Sequence, residues 1–137
     1  MTPREILDNC RSMAQEVASL ARTIDLAERR IPMGPTDITG IRLGGAPGGN
    51  DNERAAMDKV DGLEEWYRRE KADLVLLADQ VEILLEVVAE ADSRKIIRLY
   101  YVNALSDTEV AVVMGWTRRA TVCDKRKEIL QEIDENT

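Results

Sequence analysis

Five basic side chains fall within ten residues near the C-terminal end of this 137-residue chain. They are Arg118, Arg119, Lys125, Arg126 and Lys127. The preceding segment, LSDTEVAVVMGWT at 105–117, predicts a short helix, a turn at its single glycine and the cap of a second helix. Guanidinium and ammonium groups bind phosphate oxygens and guanine edges. This order of residues therefore predicts a helix-turn-helix unit that contacts double-stranded DNA.

The predicted helix pair presents a wider set of candidate DNA contacts. Ser106 and Glu109 have the spacing of a capping box, which begins the first helix. Thr117 is expected to begin the second, the reading helix. The side chains expected to face DNA are Ser106, Thr108, Thr117, Arg118, Arg119, Thr121, Val122, Lys125 and Arg126. A solvated basic helix face is the alternative, and Asp124 on the same helix leaves the rotation of the reading helix open.

Composition argues against several other kinds of chemistry. The chain has no histidine and only two cysteines, Cys10 and Cys123, which lie far apart in sequence. We therefore expect no catalytic residues, no metal site and no cofactor, and two reduced thiols in a bacterial cytoplasm. No uncharged apolar run reaches the ~18 residues of a membrane span, so no membrane partner is expected.

Charge is divided unevenly along the chain. The net charge is −7, which argues against nonspecific coating of nucleic acid. Residues 93–137 carry eight basic and seven acidic residues, whereas residues 1–92 carry eleven basic and nineteen acidic residues. The C-terminal part is thus the part suited to meet DNA.

Residues 1–91 have the pattern of a helical arm. Apolar residues recur in alternating steps of four and three in two stretches, about 3–31 and 53–91. The first seam consists of Ile6, Cys10, Met13, Val17, Leu20, Ile24, Ala27 and Ile31. The second consists of Ala56, Val60, Leu63, Tyr67, Glu70, Leu74, Leu77, Val81, Leu84, Val88 and Ala91. The pattern predicts a long antiparallel, coiled-coil-like hairpin, joined by a flexible loop at 32–52 that is rich in glycine and proline.

Five apolar residues lie off the second seam: Val75, Leu76, Ile83, Leu85 and Val87. Packing against the C-terminal unit and burial in a dimer interface explain them equally well. The C-terminal unit is expected to comprise residues 92–137. A break between helices is expected at Asp92–Ser93, which would also supply the N-cap of the next helix. Its first helix would span residues 94–102 and end where Asn103 turns left-handed. The fold class predicted for the whole chain is all-α.

Residues 94–130, with the stretch IRLYYVNALSDTEVAVVMGW, resemble region 4 of bacterial sigma factors. The order of two long helices, a glycine-rich loop and this unit resembles the RinA/ArpU-type regulators of phages of Gram-positive bacteria. The resemblance implies a sequence-specific transcription regulator, with Ala111 at the helix contact and Gly115 at the turn. It also implies an RNA polymerase contact.

We expect a homo-oligomer, with a dimer favoured, and no enzymatic activity. A phage small terminase subunit that recognises packaging DNA is the main alternative, because such proteins also join a helix-turn-helix to helices that oligomerise. A protein that only binds a partner through its acidic arm is a further alternative.

Overall fold

The computed structural model of the chain describes residues 1–29 and 47–136, with side chains from residue 53 onward in the second range. This part of the chain is all-helical, which confirms the predicted fold class. Its helices are α1 (Pro3–Arg29), α2 (Pro47–Leu85), α3 (Ala91–Ile97), α4 (Asp107–Met114) and α5 (Arg119–Glu135), and a π-helical segment, Arg98–Val102, follows α3 directly. We call this segment the π-turn. No described helix is long and apolar enough to cross a membrane.

A reciprocal capping box begins α1. The Glu5 amide donates to Thr2 Oγ1 at 3.2 Å, and the Thr2 amide donates to Glu5 Oε2 at 3.4 Å. Pro3 occupies the first helical position, where its missing N–H costs nothing. The predicted start of α1 is therefore confirmed. Ile31, at the end of the predicted seam, lies outside the described residues.

The ends of α2 differ from the prediction. The helix begins at Pro47, within the predicted loop 32–52, and the rest of that loop, 32–46, lies outside the described residues. It ends at Leu85 rather than near Ala91. Arg94 binds the segment that follows the helix end, where its Nη1 donates to Val88 O at 2.7 Å and to Ala89 O at 2.8 Å.

The beginning of α3 corrects a second prediction. Its N-cap is Glu90, which has extended backbone angles, and the helix is under way at Ser93. Ser93 is 3% exposed, so it lies inside the packed unit and does not cap the helix.

The left-handed residue that follows the π-turn is one position later than predicted. Asn103 keeps right-handed helical angles, whereas Ala104 has φ of 56°. The Asn103 amide donates to Arg98 O, and the Leu105 amide donates to Leu99 O, both at 3.0 Å. A π-helical hydrogen bond joins residues five apart rather than four, and the left-handed residue therefore falls one position later in the chain.

The chain divides into two packing units. One comprises residues 1–16 and 71–137, and the other comprises residues 17–70. In the first, residues from α1, α2 and every later element share one core: Leu7, Cys10, Val81, Leu85, Val88, Ile96, Ile97, Tyr101, Val110, Ala111, Val122, Ile129, Leu130 and Ile133. The expected boundary at residues 91 and 92 lies inside this unit. In the second unit, Leu20 and Val60 are buried.

Burial of the apolar residues follows the predicted seams closely. Every described seam residue is buried or half-buried except Ala91, which is exposed. Of the five off-seam residues of α2 and its end, Leu85 is buried in the core of the first unit. The other four are exposed by 40–62%: Val75, Leu76, Ile83 and Val87. Packing within the first unit therefore explains Leu85, and the dimer-interface explanation of the other four stays a prediction.

Candidate nucleic-acid interface

The capping box predicted at the start of α4 is present. The Glu109 amide donates to Ser106 Oγ at 3.2 Å, and the Ser106 amide donates to Glu109 Oε1 at 3.1 Å. The backbone hydrogen bond from Ser106 is the largest cause that holds the pKa of Glu109 below its ordinary range. The carboxylate form therefore anchors the first helix of the candidate interface.

Gly115 makes the turn after α4. Its φ is +76°, in the left-handed region that glycine adopts without a Cβ penalty. The Gly115 amide donates to Val112 O at 3.1 Å, and the Trp116 amide donates to Ala111 O at 2.8 Å. This pair of bonds is the Schellman motif, which satisfies carbonyls that the helix end would leave unpaired. The predicted glycine turn is confirmed.

The second helix of the pair begins later than predicted. Arg118, not Thr117, is the N-cap of α5, with extended angles of φ −124° and ψ 130°. Two residues, Trp116 and Thr117, therefore separate Gly115 from the cap. This longer turn places Val122, which is fully buried, at the core position of α5 and fixes the rotation that the sequence left open.

Six of the nine candidate contacts are exposed: Ser106, Thr108, Thr117, Arg118, Arg119 and Thr121. The Ser106 hydroxyl is only partly available to DNA, because it accepts a hydrogen bond from the Glu109 amide. Arg118 and Arg119 form no ion pair or hydrogen bond with another side chain in the described part of the chain. They stand beside the first turn of α5, whose amides have no side-chain cap.

The other three candidates take part in the fold. Val122 is buried among the core residues, so its side chain cannot contact a base while the protein is folded. Lys125 Nζ lies 3.5 Å from Glu90 Oε2, a partly exposed pair of the kind that contributes little and opens easily. Arg126 has a side chain only 13% exposed, held by Asp107 at 3.1 Å.

The surroundings of Arg126 explain why it is retained inside the unit. Its Nη2 donates to both oxygens of Asp107, the first residue of α4, at 3.1 and 3.2 Å. Its Cζ lies 3.9 Å from the centroid of the Tyr100 ring. Burial lowers the pKa of Arg126, but Asp107 and the two tyrosines of the π-turn outweigh it and raise the pKa above its ordinary value.

Arg11 of α1 is a contact that the sequence reasoning missed. Its Nη1 donates to Leu105 O at 2.9 Å and also to Tyr100 O. Its Cζ lies 3.8 Å from the centroid of the Tyr100 ring. Arg11 and Tyr100 are 89 residues apart, and no local spacing connects them. The only hint in the sequence is that Arg11 follows the buried Cys10 directly.

The outer surface of α5 is mixed in charge. Asp124 is exposed between the basic first turn and Lys127, and Glu128 follows. Beside it, Asp107, Arg119, Ala120, Cys123 and Asp124 line a shallow groove of about 270 Å³. The positive charge is therefore concentrated at the N-terminal end of α5, and the interface is best suited to contacts from Arg118 and Arg119.

Comparisons of the chain with protein-family models, with curated proteins and with solved structures found no match. The candidate interface therefore rests on the geometry of its own residues.

Proposed function

We propose that this chain is a sequence-specific DNA-binding regulator of transcription, encoded by a phage and active in the cytoplasm of a bacterial host. In this proposal α4, the turn at Gly115 and α5 act as a helix-turn-helix. The start of α5 enters the major groove, and α4 crosses the backbone. The paired seams of α1 and α2 form an antiparallel hairpin arm. The proposal assigns binding and not catalysis.

One observation carries this proposal. Arg118 and Arg119 are exposed at the N-terminal end of α5, and neither is engaged by another described side chain. Arginine matches the O6 and N7 atoms of guanine with two parallel hydrogen bonds. The uncapped amides of the first turn add donors for a phosphate at the same place. Thr117 and Thr121 flank the arginines and supply hydroxyl groups.

We further propose that two copies bind one DNA site. A single unit makes few phosphate contacts, and the chain carries a net charge of −7, so one copy alone would bind weakly. Val75, Leu76 and Ile83 are exposed by 53–62% on α2, which is the kind of apolar surface that a second copy covers. Two tethered units multiply weak affinities through a raised effective concentration. A contact with RNA polymerase belongs to the same proposal.

The test is a selection of bound fragments from host and phage genomes by the purified full-length chain. We expect a shared two-part sequence, with half-sites one helical turn or a multiple apart. The double variant Arg118→Ala/Arg119→Ala should lose this enrichment. The matched control, Arg68→Ala/Arg69→Ala, removes the same charge from an exposed part of α2 and should keep it.

The mass of the protein in solution separates the two DNA-binding functions. A dimer supports the regulator. A ring of eight or more copies that enriches packaging DNA would support a small terminase subunit and overturn the regulator. No enrichment of any sequence by the wild-type chain would overturn both functions.

A further inference from the structure

Tyr100 lies between two arginines from distant parts of the chain. The guanidinium carbons of Arg11 and Arg126 are 3.8 and 3.9 Å from the centre of its ring. Two guanidinium groups at these distances cannot occupy the same face of one ring, because they would overlap. The ring is therefore stacked between them, with an arginine of α1 on one face and an arginine of α5 on the other.

Hydrogen bonds fix both ends of this stack. Arg11 donates to the carbonyl of Tyr100, which lies within the π-turn, and to that of Leu105, which directly follows the left-handed Ala104. Arg126 donates to both carboxylate oxygens of Asp107 at the start of α4. The stack therefore connects α1, the π-turn, α5 and α4 through side chains alone.

One polar group in the stack, the Nε of Arg126, is buried, and its burial needs an explanation. Arg126 Nε is buried and has no hydrogen-bond partner among the described atoms. Loss of a hydrogen bond by a buried donor is unfavourable, and the face of an aromatic ring offers partial compensation to a cation. An arginine whose role was to bind DNA would be expected to be well exposed, whereas the Arg126 side chain is only 13% exposed.

We propose that Arg11, through Tyr100, is a positioning residue that fixes the orientation of α5 for DNA binding, and that Arg126 acts in the same way rather than as a DNA contact. This inference rests on the function proposed above. It predicts that a change in α1, remote from the DNA surface, lowers affinity for DNA while the fold is retained.

The full-length variant Arg11→Lys tests the proposal. Lysine keeps the positive charge but lacks the planar fork that stacks on the ring and bonds two carbonyls. The chain offers a matched control, because Arg4 of α1 also contacts α5, through an exposed ion pair with Asp134 at 2.7 Å. Arg4→Lys changes the same residue type on the same helix but leaves the stack intact.

Two readouts separate this proposal from the proposed function. The first is the NMR resonance of the Arg126 Nε–H group, which senses the ring current of Tyr100 with no DNA present. The second is affinity for the selected DNA, measured where circular dichroism shows each variant to be fully folded. For Arg11→Lys we expect a displaced resonance and about tenfold weaker binding, a ratio that corresponds to ~1.4 kcal/mol. For Arg4→Lys we expect neither change.

An unchanged Arg126 resonance in folded Arg11→Lys would overturn the stack as the coupling element. A displaced resonance with wild-type affinity would overturn the positioning role and leave the DNA-binding function standing. If the wild-type chain binds no DNA, the positioning role fails together with the function. In that case the Arg126 resonance still shows whether Arg11 holds the Arg126 side chain in place against the Tyr100 ring. Arg11→Met, which also removes the charge, should weaken binding at least as much.

Discussion

Gly115→Ala isolates the energy of the turn in the candidate interface. Apart from its own residue and its two chain neighbours, a Cβ on Gly115 would have no atom within 4 Å, so the substitution adds no clash with the residues packed around the turn. The cost is confined to the backbone, because φ of +76° costs an L-residue roughly 1–2 kcal/mol. Alanine also restricts the unfolded chain, which returns roughly 0.4–1 kcal/mol. The difference is a net loss of roughly 0–1.6 kcal/mol in the free energy of unfolding, with about 0.8 kcal/mol at the midpoints of the two ranges.

Gly62→Ala is the matched control. Gly62 lies inside α2, and a Cβ there also meets no atom within 4 Å. In a helix interior, alanine is favoured over glycine by roughly 0.5–1 kcal/mol, so the same substitution should stabilise the protein. Urea unfolding followed by circular dichroism measures both changes. A Gly115→Ala variant stabilised like Gly62→Ala would refute the left-handed turn, and with it the helix-turn-helix geometry.

Three other changes test separate parts of the structure. Val81→Asp buries a charge at a fully buried position and should unfold the first packing unit, whereas Ile83→Asp, at a position 62% exposed, should keep the fold and dissociate a dimer. Light scattering that shows the same mass for Ile83→Asp and wild type would contradict the proposed interface. Ala104→Gly should raise the melting temperature slightly, since φ of 56° favours glycine, and a marked decrease would argue against that backbone. Glu109→Gln should flatten the dependence of stability on pH in the acid range.

The sign of that pH effect follows from the capping box. The pKa of Glu109 is lowered in the folded protein by its bond with Ser106. The carboxylate therefore contributes stability that is fully present above the ordinary glutamate pKa of about 4.3 and is lost as pH falls through the lower folded value. Thermal unfolding at a series of pH values should show this acid loss in the wild type and less of it in Glu109→Gln. Parallel curves would contradict the assignment.

The features that the sequence predicted correctly depend on near neighbours. The capping box at Ser106 needs only a glutamate three residues later, and the turn at Gly115 needs only a residue that tolerates positive φ. The two helical seams were also predictable, because their spacing is a property of each helix by itself.

The features that the sequence did not predict depend on distant contacts. Helix α2 ends at Leu85, and the segment that follows is held by Arg94 of the next helix, which binds the carbonyls of Val88 and Ala89. Thr117 has the side chain of a good N-cap, but the structure, in which Val122 is buried, has the cap one residue later, at Arg118. In the sequence, the five basic side chains between Arg118 and Lys127 looked equally available to DNA. Only tertiary structure shows that Arg126 pairs with Asp107 while Arg118 and Arg119 remain exposed.

Because helices from both ends of the chain share one core, a C-terminal fragment cannot replace the full-length protein in DNA-binding measurements. A fragment of residues 93–137 would lose Leu7, Cys10, Val81, Leu85 and Val88 from the core that surrounds α4 and α5. Such a fragment would expose the apolar residues that those side chains cover. Affinity and stoichiometry therefore need the full-length chain.

The salt dependence of DNA affinity tests the central claim most directly. Fluorescence anisotropy at a series of salt concentrations gives the log–log slope for the full-length wild type, for Arg118→Ala/Arg119→Ala and for Arg68→Ala/Arg69→Ala. Each phosphate contact contributes about −0.9 to this slope. If both arginines of each copy contact phosphate, the slope for the first double variant should be shallower by about 2 per copy. If either reads a base instead, its loss should cost ~1–3 kcal/mol of discrimination.

The Arg68/Arg69 variant should match the wild type in both slope and affinity. Equal weakening of the two double variants would show a nonspecific charge effect and contradict the assignment of Arg118 and Arg119 as the DNA contacts.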